Sequence, residues 1–322
     1  MLDINSLKIK TIDNLYMHDD ADGISAAVLL GHVFKVNKVF CPENFGEWEP
    51  FPDIAKNYIP PDVCCDMIPQ HPEWKGICFD HHPNHPPASE RKYTLVWDQV
   101  PASMIVYNAY KKLIPAKYHW KVAVGLIGDG QGDTIPTHIW RSNPELLHGY
   151  SMYVAEKYGK LVISTYPLYI RLSSFINAAC KIPDKWYVAY QVLKNAKSPM
   201  DLVEDPALGA CKRAVKEEYN RILKDSRPID FPHFRYWRID STMKLERTIG
   251  WKSEQKDLKT TLVLNIKTNR MSVRGKLSLF LFEELTKMGY KLAGHPGFGG
   301  GKLEKGQSPE QFLKDLRKIK LI

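Results

Sequence analysis

The chain has no apolar stretch approaching the roughly 18 residues needed to cross a bilayer, because charged side chains break every run well short of that. No membrane partner is expected. Met1 to Lys10 has no long apolar segment behind a basic start, so no signal peptide is read and a cytoplasmic protein is expected. The six cysteines, at 41, 64, 65, 78, 180 and 211, never take the paired C-x-x-C spacing of a zinc or dithiol site. Most sit inside apolar runs, as reduced core thiols do. Internal repeats and low-complexity tracts are also lacking, which argues against a repeat array or a disordered chain.

What is present is an ordinary globular composition, 44% hydrophobic and 25% charged over 322 residues. That length suits two domains on a prior of roughly 100–200 residues each. The net charge of +9, from 45 Lys+Arg against 36 Asp+Glu, favours an anionic partner, with nucleic acid or nucleotide ahead of membrane.

The first half alternates short apolar runs with helical patterns. Strands are expected to end at Met17, at Cys41, before Asp66 and before Asp80, with another at 95–97; helices are expected at 24–34, 103–113 and 118–126. This alternation predicts an α/β domain, a parallel sheet with helices on both faces. Residues 146–224 read as helical, amphipathic and strand-poor. Residues 225–232 carry Pro228 and Pro232 and read as a linker, since closely spaced prolines block regular structure. Residues 233–322 read as a smaller α/β unit, with strands at 234–239, 261–266 and 271–274, a helix at 277–288, a glycine-rich loop and a helix at 309–319. The expected division is 1–224, 225–232 and 233–322.

The chemistry concentrates near the ends of the first strands. His18-x-Asp20-x-Asp22-Gly23 follows the first; if the chain stays extended, alternate side chains project to one side, and Gly23 permits a tight turn into the next helix. The plainer alternative is that Asp22 caps that helix. Asp66 stands alone after Val63-Cys64-Cys65, and Asp80-His81-His82 follows Ile77-Cys78-Phe79. Ligands gather at the carboxyl ends of strands in open α/β sheets, so these groups should share one crevice. Clustered carboxylates and imidazoles repel or stay unpaired without divalent cations, and two-metal sites mostly do phosphoryl chemistry. Gly128-Asp129-Gly130-Gln131-Gly132-Asp133 offers a last ligand, Asp129, with Asp133 as the alternative. His71, His85, His138 and His148 read as surface or loop histidines.

Together these motifs resemble the DHH phosphoesterase superfamily. The resemblance is nearest to the branch of RecJ-type exonucleases, nanoRNases and cyclic-di-AMP phosphodiesterases, which pairs the DHH domain with a smaller DHHA1 substrate domain. Ser272-Val273-Arg274 and the run Ala293-Gly294-His295-Pro296-Gly297-Phe298-Gly299-Gly300-Gly301 are similar to the DHHA1 strand arginine and glycine-histidine loop, although here the triple glycine follows the histidine. The resemblance implies one metal held by His18, Asp20 and Asp66, and a second held by Asp22, Asp66, His81 and Asp129. It implies two Mn²⁺ ions, with Mg²⁺ as the substitute; mixed oxygen and imidazole donors suit Mn²⁺ on chemical grounds as well. His82 is then expected to contact the scissile phosphate and Asp80 to orient the ligands. Arg274, Gly294, His295, Gly299, Gly300 and Lys302 are expected to grip a phosphate of the substrate through charge and backbone amides.

The expected function is hydrolysis of single-stranded DNA or RNA, or of short oligonucleotides, from an end to nucleoside monophosphates. A cyclic-dinucleotide phosphodiesterase, a nucleotide or bisphosphate phosphatase, and a non-catalytic nucleic-acid-binding scaffold are the alternatives.

Overall fold

The structure, a computed structural model, describes residues 10–42, 62–69, 74–83, 85–147, 149–157 and 160–319, without the side chains of 149–167, 293 and 295. His71 and His148 therefore lie outside the described residues. The chain forms two compact units, Met1–Cys180 with Asp184–Lys212, and Lys181–Pro183 with Arg213–Ile322.

The first unit contains β1 (Thr11–Met17), α1 (Ala21–Val33), β2 (Lys35–Phe40), β3 (Asp62–Cys65), β4 (Ile77–Asp80), β5 (Thr94–Trp97), α2 (Ala102–Tyr110) and α3 (Lys121–Gly128). There follow α4 (Thr137–Ser142), β6 (Gly149–Lys157), β7 (Lys160–Pro167), α5 (Leu168–Cys180), α6 (Trp186–Asn195), α7 (Pro199–Glu204) and the start of α8 (Pro206–Asp225). Strands β1–β5 make a wholly parallel sheet in the order β2-β1-β3-β4-β5. The central strands β3 and β4 are buried at every residue, so Val63-Cys64-Cys65 and Ile77-Cys78-Phe79 within them read as continuous apolar runs rather than alternating ones. The edge strands β2 and β5 keep partly exposed residues. On one face Tyr16, Cys64 and Cys78 pack with Met67, Trp74 and Tyr93. Helix α1 is buried from Ala21 through Leu30, because α2, α3 and α6 surround it beside the sheet; a helix apolar on all sides needs such enclosure.

The expectation of a strand-poor segment at 146–224 is corrected here. Strands β6 and β7 form an antiparallel hairpin, in a stretch whose Val154, Val162, Ile163 and Thr165 are strand-favouring β-branched residues. The remainder of that segment is helical, in α5 to α8.

The second unit comprises the end of α8, β8 (Ile229–Asp230), β9 (Phe234–Ile239), α9 (Glu246–Asp257), β10 (Thr260–Asn265), β11 (Arg270–Gly275), α10 (Ser278–Lys287), β12 (Lys291–His295), β13 (Gly297–Lys302) and α11 (Pro309–Leu316). Its six-stranded sheet runs β12-β13-β11-β10-β9-β8, with β9 and β10 parallel and the other pairs antiparallel. Side-chain alternation serves both faces. Tyr236, Leu262 and Leu264 pack with Leu281, Phe312 and Leu316, whereas Trp237 and Val263 pack with Ile222 and Ile249. Part of the expected linker is ordered as an edge strand, since Ile229 and Asp230 pair with Tyr236 and Arg235.

The expected glycine-rich loop is likewise a hairpin. Gly299 and Gly300 lie in β13 between β11 and β12, so the sheet ladders use their peptide groups. Glycine is needed there for close strand approach. A Cβ at Gly300 would strike the Met271 carbonyl, and one at Gly294 would lie 2.5 Å from Gly299 Cα.

Candidate metal centre

The strand order reverses at β1, which places a crevice between the carboxyl ends of β1 and β3. Met17 lies opposite Cys65, and Cys65 opposite Phe79. That register brings the residues just beyond β1 and β3 beside Asp80 at the end of β4. His18, Asp66 and Asp80 therefore become neighbours although their sequence separations are long.

His18 Nδ1 lies 2.8 Å from Asp20 Oδ2 and 3.2 Å from Asp66 Oδ2. The chain does not stay extended through this motif. Asp20 caps α1, its Oδ1 accepting from the amides of Asp22 (3.0 Å) and Gly23 (3.1 Å), and Asp22 sits within the first turn. The capping role falls to Asp20, with its second oxygen left to face His18. Gly23 serves close packing rather than a turn, since a Cβ there would meet the His18 carbonyl oxygen at 2.5 Å.

Asp22 is fully buried, and its two oxygens accept from the amides of Ala102 (2.6 Å) and Ser103 (3.0 Å) at the start of α2. Helix N-termini favour negative charge, so α2 holds this carboxylate in place. Gly125 of α3 leaves room for it. A Cβ at that position would lie 2.6 Å from Asp22 Oδ1 and closer still to Ser103 Oγ. Gly125→Ala is expected to displace Asp22, lowering both activity and the melting temperature; unchanged turnover would show that α3 simply moves aside.

Asp66 is 2% exposed and has φ of 59°, a left-handed conformation uncommon outside glycine and often found where function fixes the backbone. One of its oxygens, Oδ2, faces His18; the other, Oδ1, lies 3.2 Å from His81 Nε2. His81 Nε2 is also 3.2 Å from Asp129 Oδ2, carried on the residue that ends α3. Four groups among the described residues have their ligand atoms within 4.8 Å of one another: His18–Asp20–Asp66 and Asp22–His81–Asp129, and beside them Asp66–Asp80–His81–His82 and Cys78–Asp80–His85. Asp133 lies in a short turn at 132–134 and joins none of the metal-capable groups among the described residues.

Asp80 is fully buried and acts as a hub. Its Oδ1 accepts from the His81 amide (2.8 Å) and lies 2.7 Å from His82 Nδ1, while Oδ2 lies 2.8 Å from His85 Nε2. His85 Nδ1 in turn meets the Tyr93 hydroxyl at 2.8 Å. Of the reading of His85 as a surface or loop histidine, the loop part holds and the surface part is corrected, because its side chain is only 5% exposed and braces Asp80. His138 is exposed and bonded to the Tyr107 hydroxyl. Sequence reasoning missed His85, Tyr93, Gly125 and the amides at 102 and 103. Of these only His85, five residues beyond Asp80, carried a visible signal.

The electrostatics are those of a cluster short of positive charge. Burial, then the charges of Asp66 and Asp129, push Asp22 well above the usual carboxylate range. Burial, with Asp66 and Asp20 nearby, raises Asp129 to about 7. Burial opposes protonation of His81, yet hydrogen bonding to Asp66 and the charges of Asp66, Asp129 and Asp22 raise it to about 9. His18 is raised likewise against burial by Asp20 and Asp66, and Asp20 is lowered against burial by His18. Protons here stand in for missing positive charge. Hard carboxylates mixed with imidazole, converging from separate elements, fit a Mn²⁺-type or Mg²⁺-type cation.

In the second unit Arg274 reaches a cavity of about 450 Å³ lined by Trp251, Glu254, Gly275, Lys276, Pro296 and Gly297. Its guanidinium lies 5.1 Å from the Phe298 ring centroid. Gly294, Gly299, Gly300 and Lys302 lie in the β12–β13 hairpin and not among the cavity's lining residues. His295 ends β12, its side chain outside the described set.

No protein-family model and no curated protein sequence matches the chain. Solved structures do. RecJ from Thermus thermophilus, in complex with Mn²⁺, aligns with a TM-score of 0.65 at 15% identity over 98% of this chain and 53% of that one. This chain thus spans about half of that protein. The exonuclease RecJ bound to manganese aligns at 0.62 and 13% identity, over 98% of this chain and 91% of that one. A pGpG-specific phosphodiesterase, PggH from Vibrio cholerae, aligns at 0.51 and 14% identity, over 95% and 98%. At these identities the likeness is one of architecture: the chain shares the fold of the RecJ and PggH structures.

Proposed function

We propose that the chain is a divalent-metal phosphodiesterase that hydrolyses single-stranded nucleic acid or short oligonucleotides from an end to nucleoside monophosphates. One observation carries this reading: the buried Asp66 turns one oxygen to His18 and the other to His81, each at 3.2 Å, linking two separate donor groups. His18, Asp20 and Asp66 would hold one cation, and Asp22, Asp66, His81 and Asp129 the other. Bound divalent cations supply a water acidic enough to ionise near neutral pH and neutralise charge on phosphoryl oxygens.

The chain's own residues do the rest. Asp80 holds the His82 ring through Nδ1, and His82 would contact the scissile phosphate. His85 and Tyr93 hold Asp80 in turn. Arg274 and Lys276 offer charge for a phosphate in the second unit. A non-catalytic scaffold would have no use for so many opposed carboxylates.

Incubation with Mn²⁺ and end-labelled 2-mer, 5-mer and 20-mer strands of DNA and RNA tests the proposal. A ladder shortening from one end to mononucleotides is expected. No cleavage of any strand, or internal products alone, would overturn it. Asp129→Ala is expected to lose activity and Asp133→Ala to keep it; the reverse result would transfer the last ligand to Asp133.

A further inference from the structure

We propose that the cavity beside Arg274 reads guanine, with Trp251 stacking on the base, Glu254 accepting from its N1–H and N2 amino group, and Arg274 with Lys276 holding the attached phosphate. The inference rests on the reading of the substrate as nucleic acid and adds which base this site prefers.

Four observations converge on the cavity. Trp251 lines the cavity and is 51% exposed, an arrangement that leaves apolar surface in water unless a flat ligand covers it. Aromatic faces of this kind bind bases by stacking. Arg274 Nε is buried with no hydrogen-bond partner among the described residues, a donor that an incoming acceptor would satisfy. Burial and the nearby Arg247 weaken the hold of Arg274 on its proton, lowering it to about 10 even with the charge of Glu254 opposing them, so a phosphate beside it would add to what Glu254 offsets only in part. Gly297 adds no side chain to the lining, and a Cβ there would meet nothing within 4 Å, which leaves this side of the cavity open to a flat ligand.

Glu254 decides among bases. A carboxylate presents two acceptors and no donor. Guanine alone has two adjacent donors, N1–H and the N2 amino group, on its pairing edge. Adenine and cytosine pair one amino group with a ring nitrogen acceptor that the carboxylate would repel. Uracil flanks its single N–H with carbonyl oxygens. A carboxylate beside an aromatic platform therefore selects guanine, while the cations beside it serve any nucleotide's phosphate.

Calorimetric titration of the full chain with GMP, AMP, CMP and UMP tests this in excess chelator, where no hydrolysis occurs. GMP should bind at least about tenfold more tightly than the other three. Trp251→Ala should weaken all four by about tenfold, and Glu254→Gln should bring GMP close to the others. Equal affinity for all four nucleotides, absent GMP binding, or variants that bind as the parent does would each overturn the proposal. The measurement needs no turnover, so guanine selectivity in a chain that cleaves no strand would sustain this pocket while removing the phosphodiesterase reading.

Discussion

Asp66→Asn is expected to abolish turnover while leaving the fold in place. Asparagine tolerates the left-handed backbone that Asp66 adopts at φ 59°, so the bend after β3 survives the change. What is lost is the negative charge between His18 and His81. Because one carboxylate faces both donor groups, its neutralisation should weaken both cations rather than one. A loss of at least about a thousandfold in turnover is expected, equivalent to roughly 4 kcal/mol of barrier. Activity on a labelled dinucleotide, run beside a thermal melt and a Mn²⁺ titration, checks the claim. Near-parental turnover in a folded variant would show that Asp66 is only a strained turn residue.

Removal of divalent cations should abolish activity and also destabilise the protein, increasingly as pH rises. Asp129 and His81 titrate within this range and set the sign. Asp129 is raised from the ordinary 3.8 to about 7, so the metal-free folded chain keeps a proton there that the unfolded chain has lost, and stability falls as pH climbs through that interval. His81 is raised from 6.5 to about 9, so its stabilising contribution is present below 6.5 and lost as pH passes 9. Both contributions fall in the same direction. Cations that displace those protons bind more tightly at higher pH and restore what was lost. The increase in melting temperature produced by saturating Mn²⁺ should be larger at pH 8 than at pH 6. An equal or smaller increase at pH 8, or full activity in excess chelator, would contradict the account.

Much of this site was legible because the chemistry of a parallel sheet is local in sequence at each strand end. Short buried runs mark β1, β3 and β4, and the polar residue just beyond each run falls in the crevice whatever the lengths between them. The torsions after a strand were less legible. His18, Asp20 and Asp22 suggested an extended chain, yet the helix starts at Ala21, since Asp20 caps it and Gly23 admits close packing against His18. His85 could not be separated from a surface histidine, because its role depends on Asp80 and Tyr93 meeting it across the fold. The glycines near the C-terminus suggested an open loop, whereas strand neighbours on both sides claim their peptide groups. The β6–β7 hairpin was obscured by the helical patterns that follow it in the chain.

The central claim is that Asp66 is shared between two cations. Anomalous scattering at the manganese edge, from crystals grown with Mn²⁺, measures this directly. The account predicts two peaks, one among His18, Asp20 and Asp66 and the other among Asp22, His81 and Asp129, each within bonding distance of an Asp66 oxygen. A single peak, or two peaks that Asp66 does not touch, would contradict it.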